Sequence, residues 1–357
     1  MALAYDQVFE ALRDDADLVA YLAARAARHR LPNSKRTWDD VQRNIEDRIL
    51  GDAIANPFKI RNNFPRTEIA VITMKTVLAW PGNRAEIEAL TDTVVTQSTA
   101  FDGLTGEKGL AGYSALVIHG LARFLEQFAR MDPGFLPALL ARQPALRATW
   151  RFFVDTWCLG RYYPQVGDTG SFAARADHYM GAGFSREPSL QPSSFTFLWR
   201  LASLTGDPAY AQVLYRENDR AVEGLPYDLL AEDAGRLQAD VAGVVARHGG
   251  EIALGSVNKP QWRIAILRSG AGDASRAAWL CYDSGNNAHP SRGETPARGH
   301  GHADGMNLGL FARGLDLMPD AGYPPVQFGG WETRKALSVR RTAAHNTVTV
   351  DGRDHEL

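Results

Sequence analysis

The histidines of this 357-residue chain are bunched, five of the nine lying at or beyond residue 289. The densest constellation is Gly299-His300-Gly301-His302-Ala303-Asp304, followed by Asp320-Ala321-Gly322-Tyr323 and then Ala344-His345-Asn346-Thr347. Two imidazoles at i and i+2 share one face of a strand, and glycines between them let another group approach closely. Imidazole and carboxylate together suit zinc, with a further position open to water or a substrate oxygen. A hydrogen-bonded His–Asp cluster that supports loops would use the same residue types, so chemistry and scaffold compete for these positions.

The elements that must position this cluster change character along the chain. Nine glycines lie in residues 1–160 and 24 in residues 161–357, as when helices hand over to strands and turns. Val8, Leu12, Ala16, Val19, Leu22 and Ala26 predict one helix across 6–28. Further helices are predicted over 64–80, 84–98, 134–142, 145–158, 193–204 and 207–214. The clearest follows a glycine-rich loop at 102–109 and sets Leu110, Tyr113, Val117, Leu121, Phe124 and Phe128 in one stripe. From about residue 238 the period changes to two, predicting strands at 242–247, 262–268, 277–283, 306–312, 315–319 and 346–351. These elements predict a multidomain α and β chain: an N-terminal α/α toroid over 1–220, a connector at 221–236 and an antiparallel β-sandwich over 237–357. The strands are few for a sandwich, so the sequence is expected to be cut short after Asp351-Gly352.

Composition removes several function classes. Lys plus Arg is 39 against 41 Asp plus Glu, a net charge of -2, which gives no broad basic face for nucleic acid. Hydrophobic residues at 45% and charged residues at 22% are globular proportions. No apolar run approaches the roughly 18 residues that span a bilayer. The N-terminus reads as an amphipathic helix rather than a signal peptide. With only Cys158 and Cys281, neither a disulfide framework nor a thiolate zinc site is available, and compartment stays open.

The run GHGHADGMNLGLFARGLDLMPDAGYP, followed by AHNTVTVDGRD, resembles the heparinase II/III-like polysaccharide lyases, which include oligoalginate lyases. The resemblance is strong over roughly 262–357 and weaker over the helical half. It implies a toroid followed by a sandwich with the catalytic cleft between them, periplasmic or secreted location, and β-elimination on a uronate-containing oligo- or polysaccharide. It also implies that His302, Asp320 and His345 are zinc ligands, the zinc being mainly structural, and that His300 is a catalytic histidine. Asp304 is read as a carboxylate behind the ligands or a turn cap. Asp102-Gly103 through Glu107 to Tyr113 is similar to the segment that holds the family's catalytic tyrosine, although Tyr113 also fits the apolar stripe of its own helix. Asn62 and Asn63 resemble the asparagine segment that neutralises the substrate carboxylate. Many members carry histidine directly after that asparagine, whereas Phe64 and Pro65 follow here, and helix capping explains the asparagines equally well.

Other residues carry weaker signals. Gly167-Asp168-Thr169 resembles a family loop in which Asp168 orients cleft residues, and a turn aspartate looks the same. Asp177-His178 is read as structural. Trp199, Trp262 and Trp331 have rings that can stack on sugars, but core packing is the commoner use. Arg298, Arg340 and Arg341 can clamp a carboxylate or sulfate by paired hydrogen bonds. Elimination needs a group that neutralises the uronate, a base for the C5 proton and an acid for the leaving oxygen. Asn63 (or Asn62) fits the first task, while Tyr113 and His300 divide the other two. The rivals are a metal-dependent glycan hydrolase and an inactive carbohydrate-binding or scaffold member of the fold. Oligomeric state is left open by residue types.

Overall fold

The computed structural model describes residues 1–32, 34–283, 300–323, 329–330 and 332–355. These residues form thirteen α-helices and one five-stranded antiparallel sheet. The chain divides into two compact units, Met1–Val94 and Val95–Leu357, well before the segment expected as a connector.

The first unit contains α1 (Ala2–Arg13), α2 (Ala16–Arg28), α3 (Trp38–Ile45), the short α4 (Asp52–Ala55), α5 (Arg66–Ala79) and most of α6 (Arg84–Ser98). The single helix predicted over 6–28 is two. The first run ends at Arg13 with Asp14 as its cap, and Asp15 caps the second, its carboxylate accepting from the Leu18 N–H at 2.8 Å. Helix α3, unforeseen from the pattern, is started by a capping box in which Thr37 and Asp40 bond each other's backbone N–H groups. Ala2, Tyr5, Leu50 and Met74 form the unit's buried centre, and the Tyr5 hydroxyl donates to Glu46 at 2.7 Å.

The second unit continues with α7 (Ala115–Met131), α8 (Phe135–Arg142), α9 (Leu146–Asp155), α10 (Ser194–Thr205), α11 (Pro208–Glu217) and α12 (Ala234–His248). Along α7 the stripe Val117, Leu121, Phe124 and Phe128 is buried, as its spacing predicts. Each such side chain is worth roughly 1.5–3 kcal/mol when fully removed from water. Glu126 on the same helix is fully buried and receives two hydrogen bonds from Arg200, at 2.8 and 2.9 Å.

Residues 242–247, predicted as a strand, are instead the end of α12. Their valines favour strands, but Leu237 and Val241 stand four apart and bury one helical face, and that packing overrides local preference.

The sheet consists of β1 (Val257–Lys259), β2 (Ile264–Ser269), β3 (Arg276–Cys281), β4 (Asn307–Ala312) and β5 (Leu315–Asp316), neighbours in chain order and antiparallel throughout. Ile264, Ile266, Ala277, Trp279, Cys281 and Phe311 point to the buried face. A Cβ at Gly309 would collide with the indole of Trp279, so only glycine lets that ring lie across β4. The opposite face carries Leu267, Leu308 and Leu315, all exposed.

The predicted strand 346–351 is not a ladder strand. Asn346 accepts one backbone bond from Leu308 at 3.0 Å, but its own N–H goes to the Asn307 side chain and its amide goes to the carbonyls of Met318 and Pro319. The strand expected at 315–319 ends at Asp316. No helix among the described residues is long and apolar enough to cross a membrane.

Candidate active site and metal site

Four loops of the second unit are laced together at the Asn307 end of β4. The chain enters α7 through a wide helical turn, Leu110–Ser114, in which Ala111 and Gly112 leave helical geometry. Wide turns of this kind re-aim side chains at functional sites. Here the turn takes Tyr113 off the buried stripe, leaving it half-buried with its ring against His300, centroids 3.5 Å apart and planes 22° apart. The Gly109 N–H donates to Val166 at 2.9 Å, and the Ala111 N–H to the Thr169 hydroxyl at 3.0 Å. A Cβ at Gly112 would sit 2.6 Å from the Asp168 carbonyl, so the two loops approach backbone to backbone.

Asp168 is the centre of the arrangement. Its carboxylate is fully buried, with Oδ2 2.7 Å from His300 Nδ1 and Oδ1 2.8 Å from His302 Nε2. Its backbone N–H also donates to the His300 carbonyl at 3.0 Å. Burial pushes the Asp168 carboxyl up, but the bonds and charges of the two imidazoles outweigh it, leaving the group below the usual carboxylate range. An ionised carboxylate only accepts, so both imidazoles present N–H to it. His300 is thereby held with Nε2 outward, where Glu107 Oε1 stands 3.6 Å away, beyond hydrogen-bonding distance. Burial raises the Glu107 carboxyl.

Tyr323 completes the wall. Its hydroxyl is 3.1 Å from that of Tyr113, and its N–H donates to Gly170 at 3.1 Å. Burial, followed by the contact with Tyr323, raises Tyr113 above the ordinary phenol range, so its hydroxyl stays protonated at neutral pH.

The adjoining buried group fits a metal. Ligand atoms of His302, Asp304 and His345 all lie within 4.8 Å of one another. His302 Nδ1 and His345 Nε2 are buried with no hydrogen-bond partner among the described residues, while the other nitrogen of each ring is held by a carboxylate. Asp320 Oδ2 takes His345 Nδ1 at 2.8 Å and also the Asn307 amide at 2.9 Å. Imidazoles fixed from behind by carboxylates, with their free lone pairs converging, are what metal ligation requires. Asp320, expected as a ligand, sits behind His345, whereas Asp304, expected behind the ligands, stands among the converging atoms. A two-residue spacing along a loop does not reveal which carboxylate turns inward.

The remaining candidates are in the first unit or in other roles. Asn62 and Asn63 are exposed in the first unit, where the Asn62 side chain accepts from the Asn63 N–H at 2.8 Å and the Asn62 N–H bonds Thr67. Neither side chain caps α5. Arg341 pairs with Asp354 at 2.9 Å, and the Arg340 carbonyl accepts from Ala303, tying that segment to the histidine loop. Trp262 is fully buried, its indole N–H bound to Thr105 and its ring under Lys108 Nζ at 3.8 Å, so it is core rather than a sugar platform. Trp199 is bonded to Asp240, and His178 to Glu217. Arg298 and Trp331 lie outside the described residues. Sequence reasoning gave no role to Glu107 or Tyr323, although both stand in the quoted motifs; their only signal was position beside Tyr113 and Asp320.

Comparison with known proteins bears on the C-terminal part of the sequence and on the fold. Residues 255–356 match the family model described as Heparinase II/III-like, C-terminal. No curated protein matches the chain. Among solved structures, a heparinase III (the BT4657 gene product with methylated lysines) is similar with a TM-score of 0.50 and 15% identity, over 95% of this chain and 45% of that one. The heparan sulfate lyase HepC from Pedobacter heparinus has a TM-score of 0.46 and 12% identity, over 90% of this chain and 42% of that one. The chain thus spans less than half the length of these proteins, and at such identity the likeness is one of fold. The GHGHAD and AHNT runs that carry the resemblance fall within residues 255–356, the part of the chain that matches this family model.

Proposed function

We propose that this chain acts as a polysaccharide lyase that cleaves a uronate-containing glycan by β-elimination. The observation that carries this reading is the stack of Tyr113 on His300, two proton-transfer groups in contact, both locked by one buried aspartate and its neighbours. His300, with Nδ1–H tied to Asp168, presents Nε2 as the base for the C5 proton. Tyr113, kept protonated by burial, supplies the acid for the departing glycosidic oxygen. Asn63, with Asn62 beside it, hydrogen-bonds the uronate carboxylate as charge flows onto it. Arg340 and Arg341 bind anionic groups of the same glycan.

A zinc ion would be held by His302 and His345 with a carboxylate from Asp304 or Asp320. Bound there, it would supply fixed positive charge and rigidity to the loop that presents His300. A structural role suits elimination, which consumes no water. The fold we infer is an α/α toroid followed by a β-sandwich that begins after α12. The exposed leucines on the outer sheet face are the kind of surface on which a second sheet packs.

The test is ultraviolet absorbance. Elimination leaves a C4=C5 double bond conjugated to the carboxylate, so a uronate polymer should yield absorbing product, and Tyr113→Phe or His300→Gln should remove it. A glycan cut without absorbance would place the chain with hydrolases, and binding without cutting would place it with inactive members of the fold.

A further inference from the structure

The end of the sheet remote from the histidines borders an open cavity of about 1040 Å³. Ser269 of β2 and Ala312 of β4 flank Arg276 of β3 there, while Asn307 stands at the other end of β4. At roughly 3.4 Å per residue these ends are about 17 Å apart. Arg161, Arg216, Arg268, Arg276 and Arg313 line the cavity against only Glu251 and Asp273, a local positive excess in a chain of net charge -2.

The five arginines divide into two groups. Arg216 lies over the Trp157 ring at 4.4 Å and donates to the Gly160 carbonyl at 2.6 Å. Arg268 donates to the carbonyls of Gly255 and Asp155, and its Nε is buried with no hydrogen-bond partner among the described residues. These two are framework. Arg161, Arg276 and Arg313 are exposed, and among the described residues no hydrogen bond or ion pair engages their guanidinium groups. Leu159, Ile252 and Leu254 add apolar wall.

A single inorganic anion would leave most of this space empty, since cavities of roughly 300–1,000 Å³ hold whole organic ligands. The walls call for a molecule with apolar faces and several anionic groups along its length, which describes a saccharide bearing carboxylates or sulfates. We infer that the cavity binds an anionic oligosaccharide through Arg161, Arg276 and Arg313, as a site separate from the histidine cluster and independent of whether that cluster performs elimination.

Hydrogen exchange read by mass spectrometry tests this on the intact chain. The probes are an unsulfated uronate tetrasaccharide, a sulfated heparan tetrasaccharide and inorganic sulfate. Either saccharide should protect residues 268–276 and 312–314, and the stronger of the two identifies carboxylate or sulfate as the preferred group. Arg276→Glu with Arg313→Glu should abolish that protection and weaken affinity at this site by about tenfold or more, the loss expected when charge-assisted hydrogen bonds are removed. Arg276→Gln with Arg313→Gln, read beside it, should weaken the site in the same direction if charge reversal harms folding. Arg236→Glu, elsewhere on the surface, should change nothing. Absence of protection with both saccharides, wild-type affinity in the double variants, or equal protection by inorganic sulfate at the same concentration would overturn the inference.

Discussion

Strands β2, β3 and β4 end in two chemically opposite neighbourhoods. At the Cys281 and Asn307 end, imidazoles and carboxylates are buried, and His302 and His345 are each held from behind by an aspartate. At the Arg276 and Ala312 end, three arginines stand exposed around an open cavity. Burial at the first end makes each polar group depend on its partner, because an unpaired charge away from water is costly. The geometry there is consequently set before any ligand arrives. Exposure at the second end leaves attraction with little preset geometry, suited to holding a polymer rather than reacting with it.

The largest expected effect lies at the buried end. Asp168→Asn leaves an amide where two imidazoles need an acceptor, so His300 loses its orientation. The rate of glycan cleavage should fall by about 10²–10⁴-fold, the usual worth of positioned acid–base chemistry, with a much smaller change in KM. Retention of the wild-type rate would show that His300 needs no carboxylate behind it.

Metal content sharpens the contrast between Asp304 and Asp320. The double variant His302→Ala, His345→Ala should hold no zinc and should melt at lower temperature. Of the carboxylate variants, Asp304→Asn should release the metal outright, whereas Asp320→Asn should weaken affinity by about 10–100-fold by freeing His345. The reverse order would make Asp320 the ligand, as the motif spacing suggests.

Salt should separate the two ends. Raising ionic strength to about 1 M shortens the screening length to roughly 3 Å, weakening glycan binding at the exposed arginines while leaving bound zinc in place. Equal sensitivity would contradict the difference in burial.

The smallest effect is a shift in pH profile. Because Tyr113 is raised, the acid stays protonated as pH rises, and the alkaline limb of kcat should lie above the ordinary phenol value of about 10. Removing the neighbouring hydroxyl in Tyr323→Phe should move that limb downward. An unmoved limb would exclude Tyr113 as the group that titrates.

Much of the architecture was legible in residue spacing. The stripe of α7 and the alternation of β2 are patterns that burial enforces directly, since shifting either would expose its apolar face. The valines of 242–247 misled because strand preference there yields to the packing of Leu237 and Val241. In the site, the histidine pairs and Tyr113 were visible as types and Asp168 as a residue that orients its neighbours, but not that one carboxylate holds both His300 and His302. That aspartate is 132 residues from His300 in sequence, and its loop reads as an ordinary turn until Gly167 and Gly112 are seen to admit backbone at close range.

Cleavage of a uronate oligosaccharide in water enriched in heavy oxygen tests the central claim most directly. Elimination at the Tyr113–His300 pair predicts two products whose masses sum to that of the substrate, with no heavy oxygen incorporated. Products whose masses sum to substrate plus one water, carrying heavy oxygen at the new reducing end, would contradict it and make this a hydrolytic site.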